Sequence, residues 1–306
     1  MRVLVTGASG AIGRTLVPQL IDAGHEVVGT HNAPASAEVL RSLGATPVRL
    51  DLLDREAVRE AVLAHEPEAI VHQATALANV KFGRNMDKVT ARTTELRTAG
   101  TDALLAAAWE ANVPRFVAQS VAGFGRYARR GGPVKTEDDP VDPSPPASFR
   151  RAAAALDHLE RAVTEFGGIA LRYGVFYGAA NDGTVEPVRK RQFPIVGDGD
   201  GIWSWIHVDD AAAATVLALE HDGPGIYNVV DDEPAAVREW LPVLAGALGA
   251  KPPRRIPAGL ARLLAGEFVV VLSTEARGAS NEKAKRELGW TPRHPSWRTG
   301  FGEVYG

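Results

Sequence analysis

Three glycines spaced three residues apart, Gly7, Gly10 and Gly13, form the pattern in this sequence with the clearest chemical meaning. They lie in TGASGAIGR (residues 6–14), between an apolar run that predicts a strand and an amphipathic run that predicts a helix. Such glycines permit a tight turn and let the backbone approach a pyrophosphate, which the amino end of the helix then faces. Because the pattern follows the first predicted strand, a dinucleotide site is favoured over a glycine turn without a ligand. The residues expected to form its phosphate end are Gly7, Ser9, Gly10, Ala11, Ile12 and Gly13.

The ends of the second and third predicted strands bear on the adenosine part of such a nucleotide. Dinucleotide folds commonly carry an acidic residue at the end of the second strand, where it hydrogen-bonds the ribose. Here that strand ends in VVGTHN, so His31 and Asn32 stand in place of the carboxylate and tolerate a 2′-phosphate better, although no arginine accompanies them. Asp51 and Leu52 follow the third strand and are placed to meet the adenine, but Asp51 suits a helix cap equally well. We therefore expect NADP or NAD as cofactor, with NADP weakly favoured.

The elements that position these loops follow from the alternation of apolar and amphipathic segments. Strand-like runs occupy residues 2–7, 25–30, 46–51, 69–74, 115–120 and 167–178, with helical patterns between them. This alternation of strands and helices predicts an α/β fold of the Rossmann type, a doubly wound parallel sheet with helices on both faces. We expect residues 1–178 to form the dinucleotide-binding domain, which also receives about 203–222. Residues 179–306 are expected to form mainly a smaller C-terminal α/β cap that binds substrate.

Composition excludes several classes of function. The chain has 306 residues, a formal net charge of −3 and no cysteine, so disulfides, thiolate metal sites and a cysteine nucleophile are excluded. Nothing in the charge points to nucleic acid or to an anionic membrane, and no apolar run approaches the roughly 20 residues of a membrane helix. Because the chain starts with MRVLVTG, a strand and not a leader, we expect a cytoplasmic protein with a small-molecule substrate, as a possible homodimer.

Several segments together resemble the extended short-chain dehydrogenase/reductase superfamily, of the NAD-dependent epimerase/dehydratase type. The matching segments are the glycine motif TGASGAIG, the adenine loop LDLLD, the fourth-strand loop VHQATA, the sixth strand LRYGVFYG, and the C-terminal motifs WIHVDDAAAA and KAKRELGWTP. The resemblance covers nearly the whole chain and implies that the cofactor also contacts Gln73, Ala74, Thr75 and Tyr173. It implies an enzyme that oxidises or reduces a small molecule.

The family's catalytic residues are only partly present. Its members use a Ser or Thr, a Tyr and a Lys, where the Lys lowers the pKa of the Tyr because a nearby cation favours phenolate. Ser120, in FVAQSVAGFG, lies at the position of the family's serine. Arg97 stands where the family has a supporting asparagine. The resemblance therefore implies that the serine is kept and the asparagine is lost.

The Tyr-x-x-x-Lys pair is missing from the helix that should carry it, in ASFRRAAAALDHLERAV (147–163). Aligning Glu160 with a glutamate of the family places Ala152 and Leu156 at the two positions, and aligning the preceding prolines places Phe149 and Ala153 there. The apolar side chains of this helix recur on one face and predict a packing role: Ala152, Leu156, Leu159 and Val163. None of these four can carry a proton.

Other side chains are candidates for the missing functions. Tyr127 and Tyr177 are possible proton donors or buried loop tyrosines, and Arg97 supplies either a fixed charge in the site or a surface charge. Lys81 and Arg84 lie in a loop that borders the pocket in the family. His207 with Asp209 and Asp210 reads as a strand end followed by a helix start, and we expect no metal site. Trp203 and Trp205 line either a pocket wall or the core.

The function expected from these residues is an atypical NAD(P)-dependent oxidoreductase acting on a small-molecule carbonyl or on a conjugated enone or imine. Hydride transfer does not depend on the Tyr/Lys pair, because the cofactor carries the reaction and the protein orients the substrate. Two alternatives stay open: a non-redox isomerase, lyase or cyclase on the same scaffold, and a catalytically silent regulator that senses dinucleotides.

Overall fold

The structure is a computed structural model that describes residues 1–77, 80, 83–179 and 183–306. Its strands are β1 (Arg2–Thr6), β2 (Glu26–His31), β3 (Thr46–Arg49), β4 (Ala69–His72), β5 (Arg115–Val121), β6 (Val134–Lys135), β7 (Ile169–Tyr173), β8 (Val175–Tyr177), β9 (Ile195–Val196), β10 (Ile202–Trp203), β11 (Trp205–His207), β12 (Gly225–Val229), β13 (Ala235–Ala236), β14 (Arg255–Ile256) and β15 (Gly278–Ala279). Its α-helices are α1 (Gly13–Asp22), α2 (Pro34–Ser42), α3 (Arg55–His65), α4 (Met86–Val89), α5 (Ala91–Glu95), α6 (Thr101–Glu110), α7 (Arg150–Phe166), α8 (Val185–Arg189), α9 (Val208–Glu220), α10 (Val237–Ala247), α11 (Ala258–Ala265), α12 (Glu267–Thr274), α13 (Glu282–Leu288) and α14 (Trp297–Tyr305). A π-helical turn, Leu96–Gly100, joins α5 to α6, and a 3₁₀ turn, Ala147–Phe149, precedes α7.

The central sheet has seven strands in the order β12-β7-β5-β4-β1-β2-β3, and each neighbouring pair is parallel. Alternate side chains of a strand point to opposite faces, and both faces of this sheet are covered by helices. On β1, Val3 and Val5 pack in one cluster with α1 and α9, while Leu4 packs in another with α3, α6 and α7. The predicted Rossmann-type α/β fold is confirmed.

The register aligns polar side chains near the carboxyl ends of three strands. Ser120 on β5 lies opposite Arg172 on β7, and Arg172 lies opposite Asn228 on β12. Residues opposite one another in a parallel pair share a face of the sheet. A row of three polar side chains therefore crosses the sheet at the edge where ligands bind in folds of this type.

The sixth predicted strand, residues 167–178, is wrong as one continuous element. It divides at Gly174 into β7, which belongs to the central sheet, and β8, which pairs with β11 instead. A Cβ atom at Gly174 would lie 2.6 Å from the carbonyl oxygen of Ser204, so only glycine permits the close approach at this division.

The second half of the chain contributes both to the sheet and to a separate aromatic core. Strand β12 completes the central sheet, although residues 179–306 are predicted to form mainly the cap. The separate core is built around Trp203, Trp205 and Trp240. The division at residue 178 stays a prediction. Across the described ranges, the structure holds no helix of the length and apolarity that a membrane crossing requires.

Helix α7 confirms the predicted packing stripe and adds Ala155 and Glu160 to its buried residues. Ala152, Leu156, Leu159 and Val163 are all buried. Glu160 lies one turn after Leu156 on the same face and is buried with them. The buried face of this helix therefore carries one carboxylate at its centre.

Candidate active site

The glycine loop is shaped by close backbone contacts. Gly7 has φ +73°, and a Cβ atom there would lie 2.7 Å from the carbonyl carbon of Gln73. A Cβ atom at Gly13 would clash with the carbonyl oxygens of Ala8 and Gly7. At these two positions only glycine fits the turn. Gly10 is exposed, so the middle of the loop is open to a ligand.

The amino end of α1 is available to an anion. The helix begins at Gly13, and the exposed residues Gly10 and Ala11 precede its buried N-cap residue, Ile12. Within the described part of the chain, no side chain caps α1, and its first turn holds no acidic residue. Free amide groups at a helix start attract phosphate. The shape of the loop is compatible with a dinucleotide pyrophosphate, and the contacts predicted for Gly7, Ser9, Gly10, Ala11, Ile12 and Gly13 stay predictions.

The adenosine end is polar and open. Nδ1 of His31 donates to the carbonyl oxygen of Ala33 at 2.9 Å, and Asn32 is exposed. Asp51 is also exposed and pairs with Arg92 at 2.8 Å, while Leu52 beside it is buried. The backbone hydrogen bond from Leu53 is the first cause that lowers the pKa of Asp51.

Asp51 is not a helix cap, which corrects one of its two predicted roles. The cap of α3 is Asp54, whose side chain accepts from the amide of Ala57 at 3.1 Å. The adenine role of Asp51 stays a prediction.

Gln73 and Tyr173 form a buried pair behind the cofactor loop. Nε2 of Gln73 donates to the hydroxyl of Tyr173 at 3.1 Å, and that hydroxyl lies 2.6 Å from Oγ1 of Thr215. Burial raises the pKa of Tyr173 to about 12. Ala74 and Thr75, which follow Gln73, are half-buried. Their contacts with a cofactor stay predictions, and Tyr173 is placed to support Gln73.

Glu160 is the centre of a buried charge network at the carboxyl ends of the strands. The guanidinium of Arg172 donates to both of its oxygens, at 2.8 and 2.7 Å. Arg126 donates to Glu160 at 2.6 Å and also to Asp157 at 2.6 Å. Burial alone would raise the pKa of Glu160, but the hydrogen bonds and charges of Arg172 and Arg126 outweigh it, so the pKa is lowered. The network is therefore ionised at neutral pH.

Ser120 joins this network through its hydroxyl hydrogen. Its O–H donates to Oε1 of Glu160 at 2.5 Å, and the residue is completely buried. A hydroxyl has one hydrogen to donate, and here the carboxylate takes it. In this arrangement Ser120 has no hydrogen left to donate to a substrate carbonyl.

Tyr127 and Tyr177 are both fully buried, but in different surroundings. The hydroxyl of Tyr127 donates to Oδ1 of Asn228 at 2.5 Å and accepts from Arg172 at 3.1 Å. Burial raises its pKa. Tyr177 instead packs edge-on against Trp205 and Phe301, and burial raises its pKa as well. Tyr127 and Ser120 thus belong to one network, and Tyr177 belongs to the aromatic core.

Arg97 lies in the π-helical turn, a feature frequent at functional sites. Only 5% of its surface is exposed. Among the residues that the structure describes, its Nε and Nη2 have no hydrogen-bond partner. Burial and the charge of Arg126 lower its pKa to about 10, so it stays protonated at neutral pH.

His72 ends β4 beside this arginine. Its Nδ1 accepts from the hydroxyl of Thr6 at 2.7 Å, and Nε2 faces the carbonyl of Leu96 at 3.4 Å. Burial lowers its pKa to about 4, and the charge of Arg97 acts in the same direction. His72 is therefore neutral, so it adds no charge to the site.

The strand end at His207 has a structural role. Its Nδ1 accepts from the amide of Asp209 at 3.2 Å and caps α9, while Asp210 accepts from the amide of Arg293 at 2.7 Å. The ring of His207 stacks on that of His294, with centroids 3.9 Å apart. Although His207, Asp209 and His294 lie close enough to form a metal-ligand group, this stack and cap account for their arrangement.

The remaining candidates lie away from the network. Trp203 and Trp205 are buried in the aromatic core, with Trp240 packed 4.9 Å from each. Arg84 is exposed, and Lys81 lies outside the described residues. A cavity of about 170 Å³ lies at the opposite edge of the sheet, lined by the amino ends of β5 and β7, and plays no part in this site.

Sequence reasoning missed most of the charge network. Arg172 interrupts the apolar strand IALRY, and a charge inside a buried strand is a usable signal. Glu160 falls at helical spacing from Leu156, which is a second signal. Arg126 and Asn228 carry no such signal, because only the fold brings them to Glu160 and Tyr127.

Comparison with known proteins assigns the chain to a family. The model of the NAD dependent epimerase/dehydratase family matches residues 3–229. The chain is 44% identical over 312 residues to a 3-diazoavenalumate denitrifying reductase from a Streptomyces species, with 99% of each chain covered. The chain belongs to this epimerase/dehydratase family.

Solved structures agree with that assignment. The UDP-glucose 4-epimerase of Thermus thermophilus, in complex with NAD, has a TM-score of 0.78 and 26% identity, covering 100% of this chain and 98% of the other. The UDP-glucose 4-epimerase of Thermotoga maritima, with UDP-glucose, has a TM-score of 0.79 and 22% identity, covering 100% and 97%, and shows the fold.

These comparisons support the broad class of activity and not a particular substrate. The chain is an NAD(P)-dependent oxidoreductase of this family. The predictions of family, enzyme class and an NAD(P) cofactor are confirmed at that level. The relatives include named reductases and epimerases, which favours an enzyme over a silent regulator.

Proposed function

We propose that this chain is a reductase that delivers hydride from NAD(P)H to an electrophile needing no proton from the protein, with a diazo compound as substrate. The observation that carries the proposal is that the hydroxyl hydrogens of Ser120 and Tyr127 are already donated to other residues. Ser120 donates to Glu160, and Tyr127 donates to Asn228. Neither has a hydrogen free for a developing alkoxide. The 44% identity to a denitrifying reductase of a diazo acid supports the substrate class.

The chemistry of the two acceptor types differs in its need for a proton. Hydride addition to a carbonyl leaves an alkoxide, which a positioned acid must protonate. Hydride addition to a diazonium carbon forms a C–H bond while the C–N bond breaks and its electron pair leaves with dinitrogen. The two electrons of the hydride balance the positive charge of the diazonium, so no proton is consumed. When bound, the reduced nicotinamide supplies that hydride.

The residues of the chain then bind the cofactor and orient the reactants. The glycine loop and the start of α1 hold the pyrophosphate. The Glu160 network keeps Arg126 and Arg172 in fixed positions beside the reacting edge of the sheet, so no large reorganisation is needed during reaction. In either alignment of α7, with Ala152 and Leu156 or with Phe149 and Ala153, no group that can transfer a proton stands at the positions of the family's Tyr and Lys. We further propose that NADPH is preferred to NADH, because no carboxylate ends β2.

The test is to mix the protein with NADPH and 3-diazo-4-hydroxybenzoate and to follow absorbance at 340 nm and dinitrogen release by mass spectrometry. With NADPH deuterated at C4 of the nicotinamide, we expect deuterium at the carbon that lost dinitrogen. Reactions without protein, and with a Gly13→Val variant that cannot accept the pyrophosphate, are the controls. Efficient reduction of a ketone or a conjugated enone but not of the diazo acid would reject the proposal and favour the carbonyl or enone substrates predicted from the sequence.

A further inference from the structure

The guanidinium of Arg97 is charged and buried, and two of its three nitrogens have no acceptor among the described residues. Its Nε and Nη2 make no hydrogen bond with any residue that the structure describes. A buried charge without a partner is costly, and a guanidinium offers five donors in a fixed fork. Its surroundings therefore lack the group that would pair with it.

The charges that act on Arg97 are those of Arg126 and Glu160, and the carboxylate of Glu160 is already bound by other arginines. Arg126 and Arg172 share the carboxylate of Glu160, and Arg126 also contacts Asp157. The carboxylates that bind these two arginines directly are Glu160 and Asp157, and neither forms an ion pair with Arg97. Half of the Asp157 side chain is exposed to solvent, so it neutralises the interior only partly. An anion is the group that completes this set.

The position of Arg97 places that anion at the reacting edge of the sheet. The residue before it, Leu96, is in contact with His72 at the end of β4, and β4 pairs with β5, which carries Ser120. Ligands in open parallel sheets bind outside the carboxyl ends of the strands. An anion on Arg97 would thus be part of the molecule being reduced.

We propose that Arg97 binds the carboxylate of the substrate, and that the substrate is an aromatic acid. This deepens the proposed function and rests on it. Two parallel N–H···O bonds from the fork hold such a group in one orientation. They also withdraw electron density from the ring, which favours hydride addition to a diazo-bearing carbon. A water molecule at Arg97 would satisfy the donors but not the charge.

The decisive experiment measures binding without turnover. The protein saturated with NADP⁺ is titrated calorimetrically with 4-hydroxybenzoate and with its neutral counterpart 4-hydroxybenzamide, at a pH where the phenol is neutral. We expect wild type to bind the acid at least about tenfold more tightly than the amide. Arg97→Gln should remove that difference, and Arg97→Lys should keep part of it. Arg161→Gln, an exposed arginine on α7, is the matched control and should behave as wild type.

Thermal unfolding distinguishes a ligand-binding arginine from a structural one. Because Arg97 has no described partner, Arg97→Gln should keep or raise Tm and should leave NADPH binding unchanged. Equal binding of acid and amide by wild type would overturn the proposal without any variant. Unchanged acid binding by a folded Arg97→Gln would overturn it too. Since no hydride acceptor is present, these results are independent of whether the diazo acid is reduced.

Discussion

The glycine loop and the Glu160 network lie at the same edge of the sheet, yet they are built in opposite ways. The loop is made of backbone, is exposed at Gly10 and Ala11, and needs glycine for steric reasons. The network is made of long charged side chains from α7, β7 and the loop after β5, joined by Ser120 of β5, and its central carboxylate is buried. The loop thus depends on the shape of the backbone, whereas the network depends on charges held in fixed positions.

The largest effect should come from removing the centre of the network. Glu160→Ala leaves Arg126 and Arg172 without their shared carboxylate, and we expect about 3–5 kcal/mol of lost unfolding free energy in urea denaturation. Asp157→Ala removes a half-exposed partner of Arg126 from the same helix and should cost less than about 1 kcal/mol. Similar losses for both variants would show that Glu160 is not the organising residue.

The pH dependence of the unfolding free energy tests whether His72, at the end of β4, is buried and neutral. Burial lowers the pKa of His72 from 6.5 to about 4, so between these values the unfolded chain takes up a proton that the folded chain does not. The contribution of His72 is therefore complete above pH 6.5 and is lost as the pH falls towards 4, by roughly 3 kcal/mol. Urea titrations at pH 7, 5.5 and 4.5 should show a shallower slope in His72→Gln. Identical slopes would mean that His72 is not the group responsible.

A side chain added to the glycine loop should weaken nucleotide binding for steric reasons alone. A Cβ atom in Gly13→Ala clashes with the carbonyl oxygens of Ala8 and Gly7, and displacing them costs about 1–3 kcal/mol. We expect NADPH affinity to fall about tenfold or more in fluorescence titrations. The control is Gly246→Ala in α10, where no atom lies within 4 Å of the new Cβ. An unchanged affinity for Gly13→Ala would mean that the loop does not hold the pyrophosphate.

The smallest effect should appear at the adenosine end. Asn32→Asp places a carboxylate at the end of β2, where it repels a 2′-phosphate and accepts from a ribose hydroxyl. We expect the ratio of NADPH to NADH affinity to fall about tenfold. Asn32→Ser adds no charge and should leave that ratio close to the wild-type value. If both variants act alike, Asn32 does not face the ribose.

The sheet and the loop were predictable because their signals are local. The apolar runs predict strands whose positions agree closely with β1 to β5. The glycine spacing predicts a turn in which neighbouring backbone atoms leave no room for a side chain. The division at Gly174 was not predictable, because the carbonyl of Ser204 that forces it lies 30 residues further along the chain. The apolar face of α7 was predictable from its period, but the significance of Glu160 on that face was not.

The sequence by itself determines the fold and the glycine turn after β1, and it predicts the loss of the Tyr-x-x-x-Lys pair. The tertiary structure decides that the hydroxyl of Ser120 points to Glu160, 40 residues away, and that Tyr127 is held by Asn228, 101 residues away. It also decides that Arg97 is left without a partner among the residues described. Hydrogen-bond partners of buried charges depend on strand register and helix packing across the whole domain, whereas strands and turns depend on a few neighbouring residues.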